Sequence, residues 1–567
     1  MADVGNARFP VYLVKPSHYD DDGYVIRWAR SVIPSNTLAT LYGLVTDCAD
    51  RRILGDDVTI ECHAIDETNC RVDIDAIVRD VRAAGGGLVG LVGVQSNQYP
   101  RAIDLARELR KAGVAVCIGG FHVSGSLAML PGLQPDLQEA IDLGITLFAG
   151  EAEGRLDDLI RAASAGALKP LYNHLNDLPA LEEQPVPFLP RDRVERSIGV
   201  QTSFDAGRGC PFQCSFCTII NVQGRKSRRR NADDVEQIIR KNLAQGVNSF
   251  FITDDNFARN RDWESILDRV IDLRQREKLK VKLTIQVDTL CHKIPNFIEK
   301  SAQAGVGKVF IGLENINPEA LKGAQKRQNQ ISEYREMMQA WHDNKVIVCA
   351  GYIIGFPGDT RESVARDIRI IQRELPVDIL EFFIMTPLPG SQDHKELFEA
   401  GVAMDPDMNN YDVNHVTTAH AQMSADEWMD AYQSAWRDYY SPEHIQTLLR
   451  RARASGIKVR RMAHMALWFH GVSTIEGLHP LDGGYFRLKS RRDRRPDLAL
   501  ESPLVFYPRY AWETVRKQGR YLRLLVRLRR AARRLQEDEE AVGYRDTATT
   551  PVREGEVLDL VMLDSTG

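Results

Sequence analysis

The feature that most constrains the fold is a rhythm. Short apolar runs alternate with amphipathic segments of helical period, twice over, on either side of a proline-rich gap. From Phe9 to about Ala167 the runs are "VYLVKP", "VTIECHAI", "GLVGLVGVQ", "VAVCIGG" and "ITLFAGE". Helical patterns begin near Asn36, cross Val72 to Ala84 and run from Arg101 to Ala112. Strands of roughly 4–8 residues alternating with helices of roughly 10–15 build βαβ units around a parallel sheet. The reading is a doubly wound, Rossmann-like α/β domain over residues 1–176, and such sheets take ligands beyond the carboxyl ends of their strands. Those ends are Lys15 to Ser17, Gln95 to Pro100, Gly119 to Gly125 and Gly150 to Gly154.

Residues 177–194, "DLPALEEQPVPFLPRDRV", lack periodicity and read as an extended linker. A second series follows over 195–400, with strands "SFFITDD", "KVKLTIQVD", "KVFIGLE", "VIVCAGYIIGF" and "ILEFFIMTP" and with Asn231 as a helix N-cap. With a strand leading into Cys210, this makes about six βα units, a partial TIM-type (β/α)6 barrel whose active face lies at the strand carboxyl ends. The rhythm stops near Glu399; residues 401–536 read as mainly helical and 537–567 as a disordered tail.

At 567 residues the chain exceeds what one core supports. A net charge of -5 and 43% hydrophobic residues describe an ordinary globular protein, and no apolar run reaches the ~20 residues needed to span a bilayer. The first residues show no export or transit pattern, which points to the cytoplasm. Nine cysteines, an odd number, then favour free thiols and metal ligands over disulfides.

Three of them, Cys210, Cys214 and Cys217, crowd into "GRGCPFQCSFCTII". Thiolates select zinc or iron-sulfur clusters, and a tetrahedral zinc wants a fourth ligand that is not close by: Cys291 and His292 are far along the chain. Three ligands on a [4Fe-4S] cluster leave one iron open. Here the sequence strongly resembles the radical SAM superfamily, whose Cys-x3-Cys-x-aromatic-Cys loop matches Cys210, Cys214, Phe216 and Cys217. The resemblance implies that the open iron chelates S-adenosyl-L-methionine and that one electron cleaves it to a 5'-deoxyadenosyl radical. It also implies contacts to that cofactor from Phe216, from Asp254 and Asp255 in "FITDDNF", from Gln286 in "IQVD", from Glu314 in "FIGLEN", and from Gly351, Gly355 and Gly358 in "GYIIGFPG". "TPLPGS", Thr386 to Ser391, resembles the family's closing turn.

The first domain has neither a G-x-G-x-x-G after its first strand nor a P-loop. Placed just before such a barrel, it resembles the cobalamin-binding branch of the family. The resemblance implies cobalamin contacts at Ser17, Gln95, Ser96, Gly119, Gly120, His122, Gly150 and Glu151. The D-x-H-x-x-G signature of an axial histidine is absent, so His122 is expected to meet the corrin or its tail rather than cobalt.

The function so implied is cobalamin-dependent methylation of an unactivated carbon on a small-molecule substrate, with an external electron donor such as flavodoxin or ferredoxin. Ring formation, oxidation or rearrangement is the alternative within the superfamily, and a non-catalytic B12 or cluster sensor the alternative outside it. A tRNA methylthiotransferase would need a second cluster; Cys62 and Cys117 sit in apolar strands, and Cys48 and Cys70 alone do not suffice. Between Arg487 and Arg534 the chain is strongly basic, with Trp512, Val515, Leu522, Leu525, Ala532 and Leu535 near one helical face. Docking of that stripe on the barrel is the favoured reading; contact with an anionic membrane surface is the other, ahead of nucleic acid.

Overall fold

The structure, a computed structural model, describes residues 7–538, 540–551 and 559–560. The first domain is built on six parallel strands, β1 (Ala7–Lys15), β2 (Val58–Asp66), β3 (Leu88–Leu91), β4 (Ala115–Gly119), β5 (Thr146–Ala149) and β6 (Leu171–Asn173), in the order β2-β1-β3-β4-β5-β6. The order reverses at β1/β3, the position where open α/β sheets hold ligands. The central strands are buried on both faces, which is why they read as continuous apolar runs. Helices Asn36–Asp50 and Leu156–Ser164 cover one face, and Ile74–Ala83, Tyr99–Lys111 and Pro135–Asp142 the other. Helix Asn36–Asp50 starts where the Ser35 side chain accepts from the Leu38 amide.

The second sheet holds β7 (Gln201–Phe204), β8 (Ser249–Ile252), β9 (Lys282–Val287), β10 (Val306–Glu314), β11 (Ile347–Ile354) and β12 (Ile379–Ile384), parallel and in sequential order. β7 and β12 are not paired with each other, so the sheet is an open, partial barrel, as the six-unit count anticipates. The helix after the cysteine loop, Ala232–Ala244, begins at Asn231 in a reciprocal box with Asp234. The domains meet closely where helix Phe121–Met129 lies on the turn at Thr386–Ser391. A Cβ on Gly125 would stand 2.3 Å from the Pro389 carbonyl oxygen, so only glycine admits this approach.

Helices Ala425–Tyr439, Pro442–Ala454 and Val459–Gly471 share one continuous core with the barrel through Trp428, Tyr439, Leu448 and Met462. The expectation of a disordered tail is corrected over 540–551. Arg451 Nε donates to Asp546 Oδ2 at 2.8 Å and Gln339 Nε2 to the Ala548 carbonyl at 2.9 Å, local bonds between distant residues that no local pattern announces. The rest of that expectation, over 552–558 and 561–567, lies outside the described residues. Among the described residues no helix is long and apolar enough to cross a membrane.

Candidate active site

Cys210, Cys214 and Cys217 sit on the loop that follows β7, at the carboxyl end of the barrel. The loop is held by backbone bonds at both ends: the Cys217 amide donates to the Cys214 carbonyl at 3.1 Å, and the Cys210 amide to that of Gly224 at 3.3 Å. Burial pushes the Cys210 thiol up to about 11 and Cys217 up to about 12. Thiolates here therefore need positive charge close by. Two cations flank them: Lys326, 5.7 Å from the centre of the Phe216 ring, and Arg259, 5.6 Å over Phe212. Gln328 Nε2 reaches Cys214 Sγ at 3.6 Å. Among the described residues no three His, Cys, Asp or Glu side chains converge as a preformed single-ion site.

The strand ends bring the expected residues to this loop in different states. Asp254 is buried and occupied: its Oδ1 accepts from the Ala206 and Gly207 amides at 2.6 and 2.8 Å, and its Oδ2 from Asn260 at 3.0 Å. Burial still raises it to about 7. Through these bonds it holds the strand end that enters the cysteine loop. Asp255, raised by burial to about 7, accepts from the Gly209 amide at 2.7 Å through one oxygen. Gln286 Nε2 donates to the Asp254 carbonyl at 3.3 Å. Glu314 stands at a register break in β10 with φ of 63°, a strained conformation of the kind that gathers at functional sites, and is paired with Lys326.

Two glycines find their reason in protein packing. At Gly355, φ +116°, a Cβ would lie 1.9 Å from the Trp428 ring, whose Nε1 donates to the Ile354 carbonyl at 2.9 Å. Gly351 leaves room for Phe310 and Phe383, 3.0 and 3.2 Å from where its Cβ would be. Nothing crowds Gly358. At Gly355 the indole fills the space a side chain would take. Deeper along the strands, Lys308 and Cys349 interact electrostatically with Arg461 from helix Val459–Gly471; burial raises Glu381 to about 8 despite Lys308.

Between the two domains lies a cleft of about 180 Å3. Its floor is apolar, with Val11, Leu13, Leu41, Leu88 and Phe148, and it opens between Gly119, Gly120, Gly150 and Glu151 of the first domain and Arg208, Val222 and Gln223 around the cysteine loop. Asn36 Oδ1 and Gln223 Oε1, both on the cleft lining, are buried without a hydrogen-bond partner. Arg208, fully buried, spans the seam: it donates to Glu151 and Glu153 at 2.7 Å each and to Asp205 at 3.1 Å. Burial alone would raise Glu153 and Asp205, but Arg208 overrides it and holds both below the usual carboxylate range.

Ser17, Gln95, Ser96 and His122 are not among the residues that line the cleft. Ser17 Oγ donates to the Ile26 carbonyl at 2.6 Å, and Gln95 is exposed. His122 is buried between Ser96 Oγ at 3.2 Å and Asp136 Oδ2 at 2.7 Å and stacks on Tyr99. Its ring nitrogens are both taken by the protein.

A profile of the Radical SAM superfamily matches residues 205–371, from the strand end before the cysteine loop to the helix after β11. Residues 205–371 thus form a radical SAM domain. Among relatives of this radical SAM protein, the bacteriochlorophyllide d C-8(2)-methyltransferase of Chlorobaculum tepidum is 25% identical over 352 residues, 58% of this chain and 72% of the relative. The hopanoid C-2 methylase of Rhodopseudomonas palustris is 24% identical over 347 residues, 60% of this chain and 62% of the relative. The solved structure of the cobalamin-dependent S-adenosylmethionine radical enzyme OxsB with aqua-cobalamin and S-adenosylmethionine bound matches 98% of this chain and 83% of its own, with TM-score 0.54 and 14% identity, a likeness of fold.

In radical SAM terms the three thiols fit a [4Fe-4S] cluster: they are brought together on one loop without a fourth ligand and are faced by Lys326 and Arg259. Sequence reading missed these two cations, Gln328 and Arg208. "AQKRQ" (residues 324–328) had a signal in the basic residues just past Glu314, whereas Arg208, two residues before Cys210, was in plain view without its partners.

Proposed function

We propose that this radical SAM enzyme is a cobalamin-dependent methyltransferase acting on an unactivated carbon of a small apolar molecule. The observation that carries the proposal is the cleft. It sits at the β1/β3 switch of the first sheet, reaches residues around the cysteine loop, and keeps two orphaned polar atoms, Asn36 Oδ1 and Gln223 Oε1. An unfilled cavity with buried, unpartnered acceptors is costly unless a ligand or water satisfies them. Relatives named as methylating bacteriochlorophyllide and hopanoid support the reaction class.

Cys210, Cys214 and Cys217 would hold the cluster, Phe216, Asp255, Gln286 and Glu314 would contact the adenosyl cofactor, and Gly119, Gly120, Gly150, Asn36 and Gln223 would line the corrinoid. When bound, these groups supply hydrogen-atom abstraction and a transferable methyl group. The chain orients them and excludes water: Asp254 ties the strand end under the loop, Glu314 is fixed by Lys326, and Arg208 locks the cleft wall to the loop. An external one-electron donor such as flavodoxin or ferredoxin, a cytoplasmic setting and peripheral membrane contact through the basic C-terminal helix complete the proposal.

Anaerobic reconstitution tests it. About four iron per chain with a [4Fe-4S] spectrum, reductive cleavage of S-adenosylmethionine and stoichiometric corrinoid binding are expected. Cleavage without corrinoid binding would retire the cobalamin half and leave the cluster half standing.

A further inference from the structure

Helix Pro503–Glu537 is long for a globular protein at 35 residues and does not dock the way its sequence suggests. The face that packs on the protein carries Phe506, Leu524, Leu528, Ala532 and Leu535, with Tyr521 against Gly471. The stripe expected to dock splits. Ala532 and Leu535 are buried, but Trp512 is 67% exposed, Val515 66% and Leu522 61%, joined by Leu504 at 86%. Among the described residues every exposed large hydrophobic except Phe398 and Val542 lies between Leu481 and Val526 in the sequence, and Leu504, Val515 and Leu522 recur at helical spacing on one face of the helix. Contiguous exposed apolar surface of this kind marks an interaction site.

The charges beside it are equally uneven. Arg516, Arg523, Arg530, Arg533 and Arg534 make no ion pair among the described residues, whereas the lysine on the docked side, Lys517, donates to Glu476 at 2.7 Å. A shallow groove along the helix has Leu522 and Val526 beside Arg523, Arg527, Arg530 and Arg534. Aliphatic and indole side chains flanked by free guanidinium groups match the two layers of an anionic bilayer surface, acyl chains and phosphate headgroups.

We infer that this helix seats the enzyme on anionic lipid, with Leu504, Trp512, Val515 and Leu522 entering the acyl boundary and the arginines at headgroup level. The inference deepens the proposed membrane contact and does not depend on the corrinoid. It gives the substrate class a source: an apolar molecule dissolved in the same membrane.

The test uses the full-length reconstituted enzyme with vesicles of phosphatidylcholine alone and with added phosphatidylglycerol, with single-stranded RNA as a competitor class. Expected are co-sedimentation with the anionic vesicles only, weakening with salt, and a blue shift of tryptophan emission that is absent in Trp512→Ala. Trp512→Asp with Leu522→Asp, and separately Arg523→Glu with Arg530→Glu, should each weaken partitioning by about tenfold or more, with thermal unfolding and reductive cleavage of S-adenosylmethionine in solution unchanged. Equal binding to both vesicle types, no binding at low salt, or binding to RNA alone overturns the inference. Concentration-dependent dimerisation that the apolar substitutions abolish, without vesicle binding, assigns the face to a second copy and overturns it too. Failure of vesicle binding with cleavage intact leaves the catalytic reading untouched.

Discussion

The two parallel sheets present opposite kinds of strand end. In the barrel the polar groups are largely taken by one another: Asp254 by the Ala206 and Gly207 amides, Glu314 by Lys326, Asp255 by Gly209. In the first domain the strand ends open onto an apolar cleft with buried polar atoms left over, Asn36 Oδ1 and Gln223 Oε1. The barrel face is built to fix a loop, and the α/β face to leave a shaped space. Chemistry that needs precise placement of a small cofactor and housing for a large one calls for this division.

The comparison can be broken at its strongest point first. Cys214→Ala should drop iron from about four per chain to background and abolish the visible absorption of the cluster, without emptying the cleft of bound corrinoid. If corrinoid binding collapses as well, the two faces are not separable. Next in size is the seam itself. Arg208→Met leaves Glu151, Glu153 and Asp205 buried together with one fewer cation, and chemical denaturation should show a loss of about 3–5 kcal/mol. A loss under about 1 kcal/mol would mean the seam is solvated.

A bulky residue in the cleft sharpens the distinction. Leu41→Trp should weaken corrinoid binding at least about tenfold, where ~1.4 kcal/mol is a factor of ten, while iron content and reductive cleavage hold. The overpacking itself should cost about 1–3 kcal/mol. The smallest effect is the pH response of the barrel interior. Burial pushes Glu381 up to about 8 in the fold, from the usual 4.5, so the folded state holds an extra proton between those values. Stability from this group is complete below about 4.5 and declines as pH rises through about 8. Glu381→Gln should remove that decline, and parallel stability-pH curves for the two proteins would sink the assignment.

Much of this was legible in the sequence. The alternation of apolar runs and amphipathic segments marked both sheets, because strands buried on both faces cannot hide their hydrophobicity. The cysteine spacing marked the loop. What escaped shares one physical cause: the deciding partner is far along the chain. Asp254 looked like a ligand-binding residue because its acceptors point at amides 47 and 48 positions away. His122 looked available because Asp136 lies on a helix that packs across it. Trp428, which packs where a side chain on Gly355 would stand, comes from the C-terminal helices. The long terminal helix has apolar residues on more than one face, and periodicity alone does not say which face finds a protein to cover it.

The Arg208 seam carries a practical consequence for recombining such proteins. Glu151 and Glu153 belong to the first domain, and Arg208, Arg228 and Asp205 to the second, yet they form a single ionic network. A chimaera that grafts the α/β domain of a relative onto this barrel would pass every test of modular boundaries and still strand a guanidinium in the interior. Crossovers placed in the linker would have to carry the arginines of one parent with the glutamates of the same parent.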